Sequence, residues 1–227
     1  MGSFPKRRFD EKGNYTLRLT SIQKELTTIL LQASQSGPLA HGETIELDHL
    51  PFLIEDTQPS FHPQDAQFAI QNSQPKITTS PWAANALYQE LGADYLLARQ
   101  PPPRRLSFVL TSPTTFKSGG KQVPIPLPEL LFGSLLEKWN AYAPIAFPLE
   151  ARRYAAECLG IGRYKLSSRA VPIKEGGVRS GAVGEISYAS LSYDRYWMSV
   201  LAALAAFALF SGAGASTSMG LGQCRQI

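Results

Sequence analysis

The residues best suited to chemistry form a short polar segment near the C-terminus. Residues 211–225, SGAGASTSMGLGQCR, hold four glycines around a run of small hydroxyl residues. Glycine adopts positive φ angles and lets another backbone or a phosphate approach closely. Ser216, Thr217 and the serine after them add hydroxyl and peptide N–H groups, which bind anions. We therefore predict that this segment, the glycine-rich loop, contacts phosphate.

The position of the loop argues against a nucleotide cofactor. A dinucleotide-binding glycine loop follows a strand and opens a helix, whereas this loop follows a predicted helix, RYWMSVLAALAAFALF, with Asp194 as its N-cap. The phosphate-loop pattern also fails, because no lysine follows a glycine there. We predict no cofactor and no metal site. A simpler alternative is a helix C-cap and a tight turn, which need only one or two of the four glycines.

Length and composition allow one large domain or two small ones. The chain has 227 residues, of which 44% are hydrophobic. The only long apolar run, 197–210, is shorter than the roughly 20 residues of a membrane span, so it predicts a buried helix and no membrane partner. The N-terminus lacks the apolar core of a secretory signal, and the two cysteines give no disulfide framework. These features predict a cytoplasmic protein.

The charges are divided unevenly along the chain. Residues 1–100 hold 8 basic and 11 acidic side chains, net −3, whereas residues 101–227 hold 14 and 7, net +7. The second half therefore carries the field that attracts a polyanion. An ordinary solvated surface is the alternative, but the glycine-rich loop lies in the same half.

The first half predicts a β-α-β order followed by a connection. The predicted elements are a strand over NYTLRLTSI (14–22), a helix over 23–34, one or two strands in GETIELDHLPFLIED, an extended connection over 57–80 and a helix over 82–97. Three prolines at 101–103 cannot continue a helix or enter a central strand. We therefore predict two domains, 1–100 and 101–227.

The second domain predicts the order β-α-β-β-α-β. Its predicted elements are a strand in RRLSFVLTSPTTF ended by Ser112-Pro113, a Gly119-Gly120 turn, a helix from about Pro128 to Tyr142, strands in GRYKLSSRAVPI and GAVGEISYASLSY, the Asp194 helix and a closing strand GQCRQI. This is the ferredoxin-like plan of RNA-recognition modules.

Four motifs in this domain resemble a known family. They are LTSPTTFK, LPELLFGSLLEKWNAYAP, GAVGEISY and FALFSGAGASTSMGLGQCR. The chain resembles the CRISPR-associated endoribonucleases of the RAMP superfamily, which cut precursor CRISPR RNA within its repeats. GNYTLRLTSI with the following helix and GETIELDHLPFLIED resembles the second half of that family's first ferredoxin-like domain. The resemblance implies an α+β chain, a complete ferredoxin-like domain preceded by a partial one.

The sequence departs from the family pattern at two places. No counterpart of the family's first strand, first helix and second strand precedes residue 14, so we expect a truncated form, an internal-start product or one piece of a split protein. The family's loop also carries a lysine where Ser216 stands here. We expect a weaker grip on phosphate as a result.

The resemblance implies metal-independent cleavage, in which a 2′-hydroxyl attacks the adjacent phosphorus and leaves a cyclic phosphate and a 5′-hydroxyl. A base must take up the hydroxyl proton and an acid must protonate the leaving oxygen, and histidine suits both tasks near neutral pH. The chain has His41, His49 and His62. We interpret His49, in an acidic strand, and His62, before a proline, as surface or capping residues. His41, beside a glycine, is the catalytic candidate.

The leading hypothesis is a protein that binds CRISPR repeat RNA and takes part in processing precursor CRISPR RNA. The predicted contacts are Gly212, Gly214, Ser216, Thr217, Gly220 and Gly222 for backbone phosphates and Arg163, Lys165, Arg169, Lys174 and Arg179 for the stem or its flanks. We expect Gly214→Glu to abolish binding without unfolding the protein.

Two further hypotheses stay open. One is an inactive subunit that holds RNA together with other effector subunits or a missing N-terminal segment. The other is a protein-interaction domain for acidic partners, which would not distinguish a repeat from unrelated RNA.

Overall fold

The computed structural model describes residues 13–47, 50–57, 84, 86–172 and 177–227. In chain order the helices are α1 (Lys24–Ser36), α2 (Tyr88–Leu96), α3 (Pro128–Tyr142), α4 (Glu150–Cys158) and α5 (Arg195–Ser211). The strands are β1 (Thr44–Leu47), β2 (Leu50–Leu53), β3 (Arg105–Thr114), β4 (Phe116–Ser118), β5 (Lys121–Val123), β6 (Leu159–Pro172), β7 (Val178–Ser190) and β8 (Cys224–Gln226). One turn of 3₁₀ helix, Thr217–Met219, lies in the glycine-rich loop.

The chain divides into two compact units, Met1–Asn85 and Ala86–Ile227. Helix α2 belongs to the second unit, because its Tyr88 ring packs against Trp139 of α3 and Phe207 of α5 with centroids 5.2 and 5.7 Å apart. The predicted domain limits, 1–100 and 101–227, stay a prediction. The prediction placed α2 in the first domain, whereas α2 lies in the second compact unit.

The first unit contains α1 and the antiparallel hairpin of β1 and β2. Both elements were predicted, and Thr44 pairs with Leu53 at the open end of the hairpin. The predicted strand over 14–22 is wrong, because residues 13–21 form no helix or strand. Within the described residues the sheet of β1 and β2 has two strands. A strand exists only where a neighbour pairs with its backbone, so alternation of apolar residues alone does not produce one.

The second unit is built on a four-stranded antiparallel sheet with the strand order β6-β7-β3-β8. Two helical crossovers place β3 and β7 at its centre, and β8 pairs with β3 from Phe108↔Gln226 to Leu110↔Cys224. This is the ferredoxin-like βαββαβ arrangement, so the predicted fold class is confirmed.

Strand β3 continues past the point where the sequence predicted its end. It runs to Thr114, and its pairing with β7 shifts between Leu110↔Gly184 and Thr114↔Ala182. Pro113 has no N–H to give to a ladder, so the chain bulges there and then resumes pairing. The chain continues into the hairpin of β4 and β5, which turns at the predicted Gly119-Gly120. Helix α4 was not predicted.

One face of the sheet forms the core with α3 and α5. The largest fully buried side chains include Leu106, Phe108, Leu131, Phe132, Leu135, Trp139, Ile186, Tyr188, Leu201 and Phe207. Helix α5 was predicted as a buried helix, and most of its residues are inaccessible to solvent. Asp194 caps it as predicted, since its Oδ1 accepts a hydrogen bond from the Trp197 N–H at 3.0 Å. The C-terminus of α5 leads directly into the glycine-rich loop.

Helix α5, with 17 residues, is the longest apolar helix in the described part of the chain. None of the helices described there combines the length and the hydropathy needed to cross a membrane.

Candidate nucleic-acid interface

The base of the glycine-rich loop is packed against protein backbone. Gly212, Gly214 and Gly222 all have positive φ angles, +61°, +80° and +72°. A Cβ on Gly214 would lie 2.2 Å from the Thr115 carbonyl oxygen, and one on Gly222 would lie 2.0 Å from the Ala213 carbonyl oxygen. No side chain fits at these distances. A Cβ on Gly212 would lie 2.8 Å from the Gly222 carbonyl oxygen, so three of the four glycines are required by the fold of the loop itself.

The amides of the loop glycines are already used inside the protein. The Gly214 N–H donates to Ser134 Oγ at 2.9 Å, and the Gly222 N–H donates to the Pro113 carbonyl at 3.1 Å. Gly212 and Gly220 also donate to backbone carbonyls, at 2.9 and 3.1 Å. The expectation that Gly214→Glu leaves the fold intact is wrong, because even the first side-chain carbon collides with backbone.

The tip of the loop, residues 216–220, is open. Ser218, Met219 and Gly220 are exposed, and a Cβ on Gly220 would meet nothing within 4 Å. Ser216 is the one non-glycine residue with positive φ in the described chain, at φ 61° and ψ 33°. Three successive amides, those of Ser216, Thr217 and Ser218, donate to no acceptor within the described residues. A left-handed residue before a right-handed turn aims successive N–H groups into one concavity that suits an anion.

Arg179 brings a positive charge to this tip. Its Nη1 donates a hydrogen bond to Ser216 Oγ, although the two residues lie 37 positions apart in the chain. Arg179 stands near the start of β7, opposite Val171 of β6. The sequence predicted a weaker phosphate contact because Ser216 carries no charge. In the structure the guanidinium of Arg179 from β7 contacts Ser216.

Helix α3 supports the base of the loop with two side chains that the sequence analysis did not identify. Ser134 accepts the Gly214 N–H, and Lys138 Nζ donates to the carbonyls of Gly212 at 3.0 Å and Ser211 at 3.4 Å. Burial lowers the pKa of Lys138 to about 8, while Cys224 and Glu137 act in the opposite direction. The only sequence signal was their spacing, since positions i and i+4 share a helix face.

Three of the other predicted basic residues, Arg163, Lys165 and Arg169, lie along β6. Arg169 pairs with Gly181, two positions before the Val171↔Arg179 pair, so it lies at the same end of the hairpin as Arg179. Arg163 pairs with Ser187 and is six residues, about 20 Å, further along the strand. Lys174 lies outside the described residues. Of the predicted basic residues that the structure describes, Arg169 and Arg179 therefore lie at one end of the hairpin, and Arg163 and Lys165 lie further along β6.

Arg163 and Lys165 border a groove of about 290 Å³. Its lining includes Ser107, Arg163, Lys165, Glu185, Ser187 and Ile227. Lys165 pairs with Glu185 across the two strands, so an acidic side chain shares this surface with the basic ones.

His41 lies in the first unit, in the turn between α1 and β1. Its Nδ1 is 2.7 Å from the Glu55 carbonyl oxygen. When Nδ1 donates this hydrogen bond, Nε2 carries the lone pair and can accept a proton. The side chain is exposed. His49 and His62 lie outside the described residues.

Comparison with known proteins decides the family. Residues 108–224 match the family described as CRISPR-associated endoribonuclease Cas6, from within β3 to the start of β8, and the match includes the glycine-rich loop as far as Cys224. This chain belongs to the Cas6 family. A curated Cas6 of Mycobacterium tuberculosis is 31% identical over 130 residues, which are 56% of this chain and 40% of that protein. The chain thus spans about two fifths of this relative's length.

Solved Cas6 structures share the fold. A Cas6 product complex superposes with a TM-score of 0.68 at 26% identity, covering 91% of this chain and 76% of that one. A Cas6 substrate mimic complex gives 0.68 at 27% identity, covering 90% and 76%. A Thermus thermophilus Cas6 gives 0.58 at 29% identity, covering 65% and 60%. The similarity to the first two extends over both units of this chain.

Proposed function

We propose that this chain binds CRISPR repeat RNA and takes part in processing precursor CRISPR RNA. One observation carries the proposal: three successive amides at the tip of the glycine-rich loop, those of residues 216–218, have no acceptor among the described residues. Membership of the Cas6 family supports RNA as the anion. Similar proteins have been solved as product and substrate mimic complexes, which supports the same substrate class.

A phosphate at the tip would meet two kinds of donor. The amides of Ser216, Thr217 and Ser218 offer neutral hydrogen bonds at fixed positions, and Arg179 adds a charged donor that is already oriented by Ser216 Oγ. Charge-assisted hydrogen bonds are roughly twice as strong as neutral ones. Arg179 therefore supplies the largest single contribution to phosphate binding. The amides set the position of the phosphate.

The hairpin of β6 and β7 extends this contact along the RNA. Arg169 shares the loop end of the hairpin with Arg179, and Arg163 and Lys165 continue the positive charge along β6. Such a row suits a polyanion, because each neutralised phosphate releases counterions. We assign these residues, with Lys174, to the stem or its flanks.

For the cleavage step we propose transesterification without a metal ion. The 2′-oxygen forms a bond to the adjacent phosphorus, the bond from phosphorus to the 5′-oxygen breaks, and the products are a 2′,3′-cyclic phosphate and a 5′-hydroxyl. The 2′-hydroxyl gives its proton to a base, and the leaving oxygen receives one from an acid. We assign proton transfer to His41, whose Nε2 is available when Nδ1 donates to the Glu55 carbonyl.

A second candidate function is RNA holding without cleavage. It is favoured by the distribution of histidines, all of which precede residue 63, so that residues 86–227 contain no imidazole. In this case the second unit would hold processed RNA as a subunit of a larger CRISPR complex, and proton transfer would come from elsewhere.

A cleavage assay separates the two candidates. Labelled repeat RNA is incubated in EDTA with the wild-type chain, with His41→Ala and with Arg153→Ala, a control on the exposed face of α4. The processing proposal predicts a cyclic-phosphate product from the wild type and the control, and loss of product with His41→Ala. Binding without any product indicates the holding function. If the wild type binds repeat RNA no better than unrelated RNA of equal length, both candidates are wrong.

A further inference from the structure

We propose that Ser134 and Lys138 of α3 are positioning residues for RNA, because together they hold the base of the glycine-rich loop so that its tip faces the phosphate. This inference rests on the proposed function, since it concerns the same loop. Both residues contact the base of the loop and not its tip.

The two side chains form hydrogen bonds with the loop on either side of Ala213, at Gly212 and Gly214. They stand one turn apart on the same face of α3. Ser134 Oγ donates to the Leu131 carbonyl at 2.9 Å, which leaves its lone pairs to accept the Gly214 N–H at 2.9 Å. Lys138 Nζ donates to the carbonyl of Gly212 at 3.0 Å. The chain is therefore fixed at two points before it reaches the tip.

The tip of the loop begins directly after the residues that are held by hydrogen bonds. The Ala215 N–H donates to the Thr115 carbonyl at 2.8 Å, so residues 212, 214 and 215 are all held. Ser216 follows directly, in the left-handed conformation that aims the free amides. A displacement of Gly212 or Gly214 would therefore move Ser216 as well.

Lys138 also has an electrostatic role. The carbonyls it binds belong to the last residue of α5 and to the C-cap Gly212, where the helix dipole is negative. The ammonium offsets this negative end behind an anion site. Without it, the carbonyl dipoles of α5 would oppose the approach of a phosphate.

The charge on Lys138 changes within an accessible pH range. Burial lowers its pKa to about 8, so the side chain is mostly charged at pH 7 and mostly neutral at pH 9. The ionisable groups near Lys138 are the Cys224 thiol of β8 and the Glu137 carboxylate of α3. Oε1 of Glu137 lies 3.7 Å from Nη1 of Arg152 on α4. Helix α5 carries no charged side chain after Arg195, and residues 212–223 carry none.

The effects of pH on binding and on folding have opposite signs. The pKa of Lys138 is lower in the folded chain than its ordinary value of 10.5, so between pH 8 and pH 10.5 the unfolded chain binds more protons at this residue. Its contribution to stability therefore rises with pH over this range. Its contribution to RNA affinity falls as the charge is lost. Weaker binding at high pH thus cannot result from unfolding caused by Lys138.

The test measures affinity for repeat RNA by fluorescence anisotropy at pH 7, 8 and 9. We expect the wild type to lose about 3- to 10-fold in affinity between pH 7 and 9. Lys138→Arg should keep its affinity over this range, because arginine does not deprotonate there. Lys138→Met should bind weakly and without this pH dependence. Ser134→Ala should bind about threefold more weakly at every pH and keep the wild-type pH dependence.

Lys24→Met, which removes an exposed lysine of α1, serves as the control and should follow the wild type. Titration of the RNA bases is common to all variants, so only differences between variants count. Parallel profiles for the wild type and Lys138→Arg would overturn the inference. If melting curves show that Lys138→Arg does not fold, the comparison with Lys138→Met decides, and an unchanged pH dependence in that variant overturns it.

Failure of this inference is distinguishable from failure of the proposed function. If Arg179→Ala weakens binding while the variants of Ser134 and Lys138 do not, the loop binds RNA without the support of α3. If the wild type has no preference for repeat RNA at pH 7, the proposed function itself is wrong.

Discussion

The base and the tip of the glycine-rich loop use the same residue type in different ways. Gly214 at the base and Gly220 at the tip have nearly equal φ angles, +80° and +82°. A Cβ on Gly214 would lie 2.2 Å from the Thr115 carbonyl oxygen, whereas one on Gly220 would lie in open space. The base needs glycine because backbone is packed against it. The tip needs it only for the turn.

This difference indicates that the base of the loop has a structural role and that the tip presents hydrogen-bond donors. The base amides are bonded to α3, β3 and α5, while those of residues 216–218 have no acceptor in the described part of the chain. A glycine-rich sequence therefore does not mean that every glycine touches the ligand. Here most of the glycines shape the loop, and the residues between them present the donors.

The largest expected effect is on stability, at the base of the loop. Gly214→Ala should lower the free energy of unfolding by about 3 kcal/mol, because the new methyl group overlaps the Thr115 carbonyl in addition to the backbone strain. Gly220→Ala, the matched control, should lower it by only about 1 kcal/mol, from strain alone. Urea denaturation measures both. Equal losses for the two variants would mean that the base is not packed as described.

The next effect is on RNA affinity, at the tip. Arg179→Ala should weaken repeat binding about tenfold and reduce the salt dependence by about one phosphate contact, because it removes the charged donor that is bonded to Ser216. Arg153→Ala is the control, because Arg153 pairs with Glu157 on the exposed face of α4. Anisotropy titrations at several salt concentrations give both quantities. An unchanged affinity would remove Arg179 from the site.

Ser216→Gly separates strain from function at the tip. Glycine accepts the left-handed conformation without strain, so the free energy of unfolding should stay the same or rise by about 0.5 kcal/mol. Repeat affinity should fall about threefold, because the hydroxyl that orients Arg179 is lost. Thermal melting measures the change in stability, and fluorescence anisotropy on the same preparation measures the change in RNA affinity. If both the stability and the repeat affinity fall, Ser216 does not hold its left-handed conformation for the sake of RNA binding.

The smallest effect is expected far from the loop. Arg163→Ala should weaken repeat binding only about twofold, because Arg163 lies about 20 Å along β6 from Arg169, on a solvated strand. The same titration measures it. A loss as large as that of Arg179→Ala would move the main contact from the tip of the loop to the sheet.

The sequence predicts helices α2, α3 and α5 and most strands of the second unit because their signals are local, whereas α4 was missed. Asp194 caps α5, Pro128 opens α3, and Gly119-Gly120 turns a hairpin, each within a few residues. The strand over 14–22 was predicted from alternation and is wrong, since pairing depends on a partner that alternation does not reveal. The extension of β3 past Pro113 likewise depends on its neighbour β7.

The site is harder to predict for the same reason. The hydroxyls and glycines of the loop are visible in the sequence, but the contact of Arg179 with Ser216 spans 37 residues and depends on the register of β6, β7 and β3. Lys138 and Ser134 read as an ordinary helix face. Only the packing of α3 against the loop gives them a role.

The most direct test of the central claim is the amide NMR spectrum of the loop during titration with repeat RNA. We predict large downfield shifts of the amide protons of Ser216, Thr217 and Ser218, because these N–H groups acquire a phosphate acceptor. The amides of Gly212 and Gly214, which are bonded inside the protein, should change little. Unchanged amides at the tip, with shifts concentrated on the sheet around Ser107 and Ser187, would contradict the account.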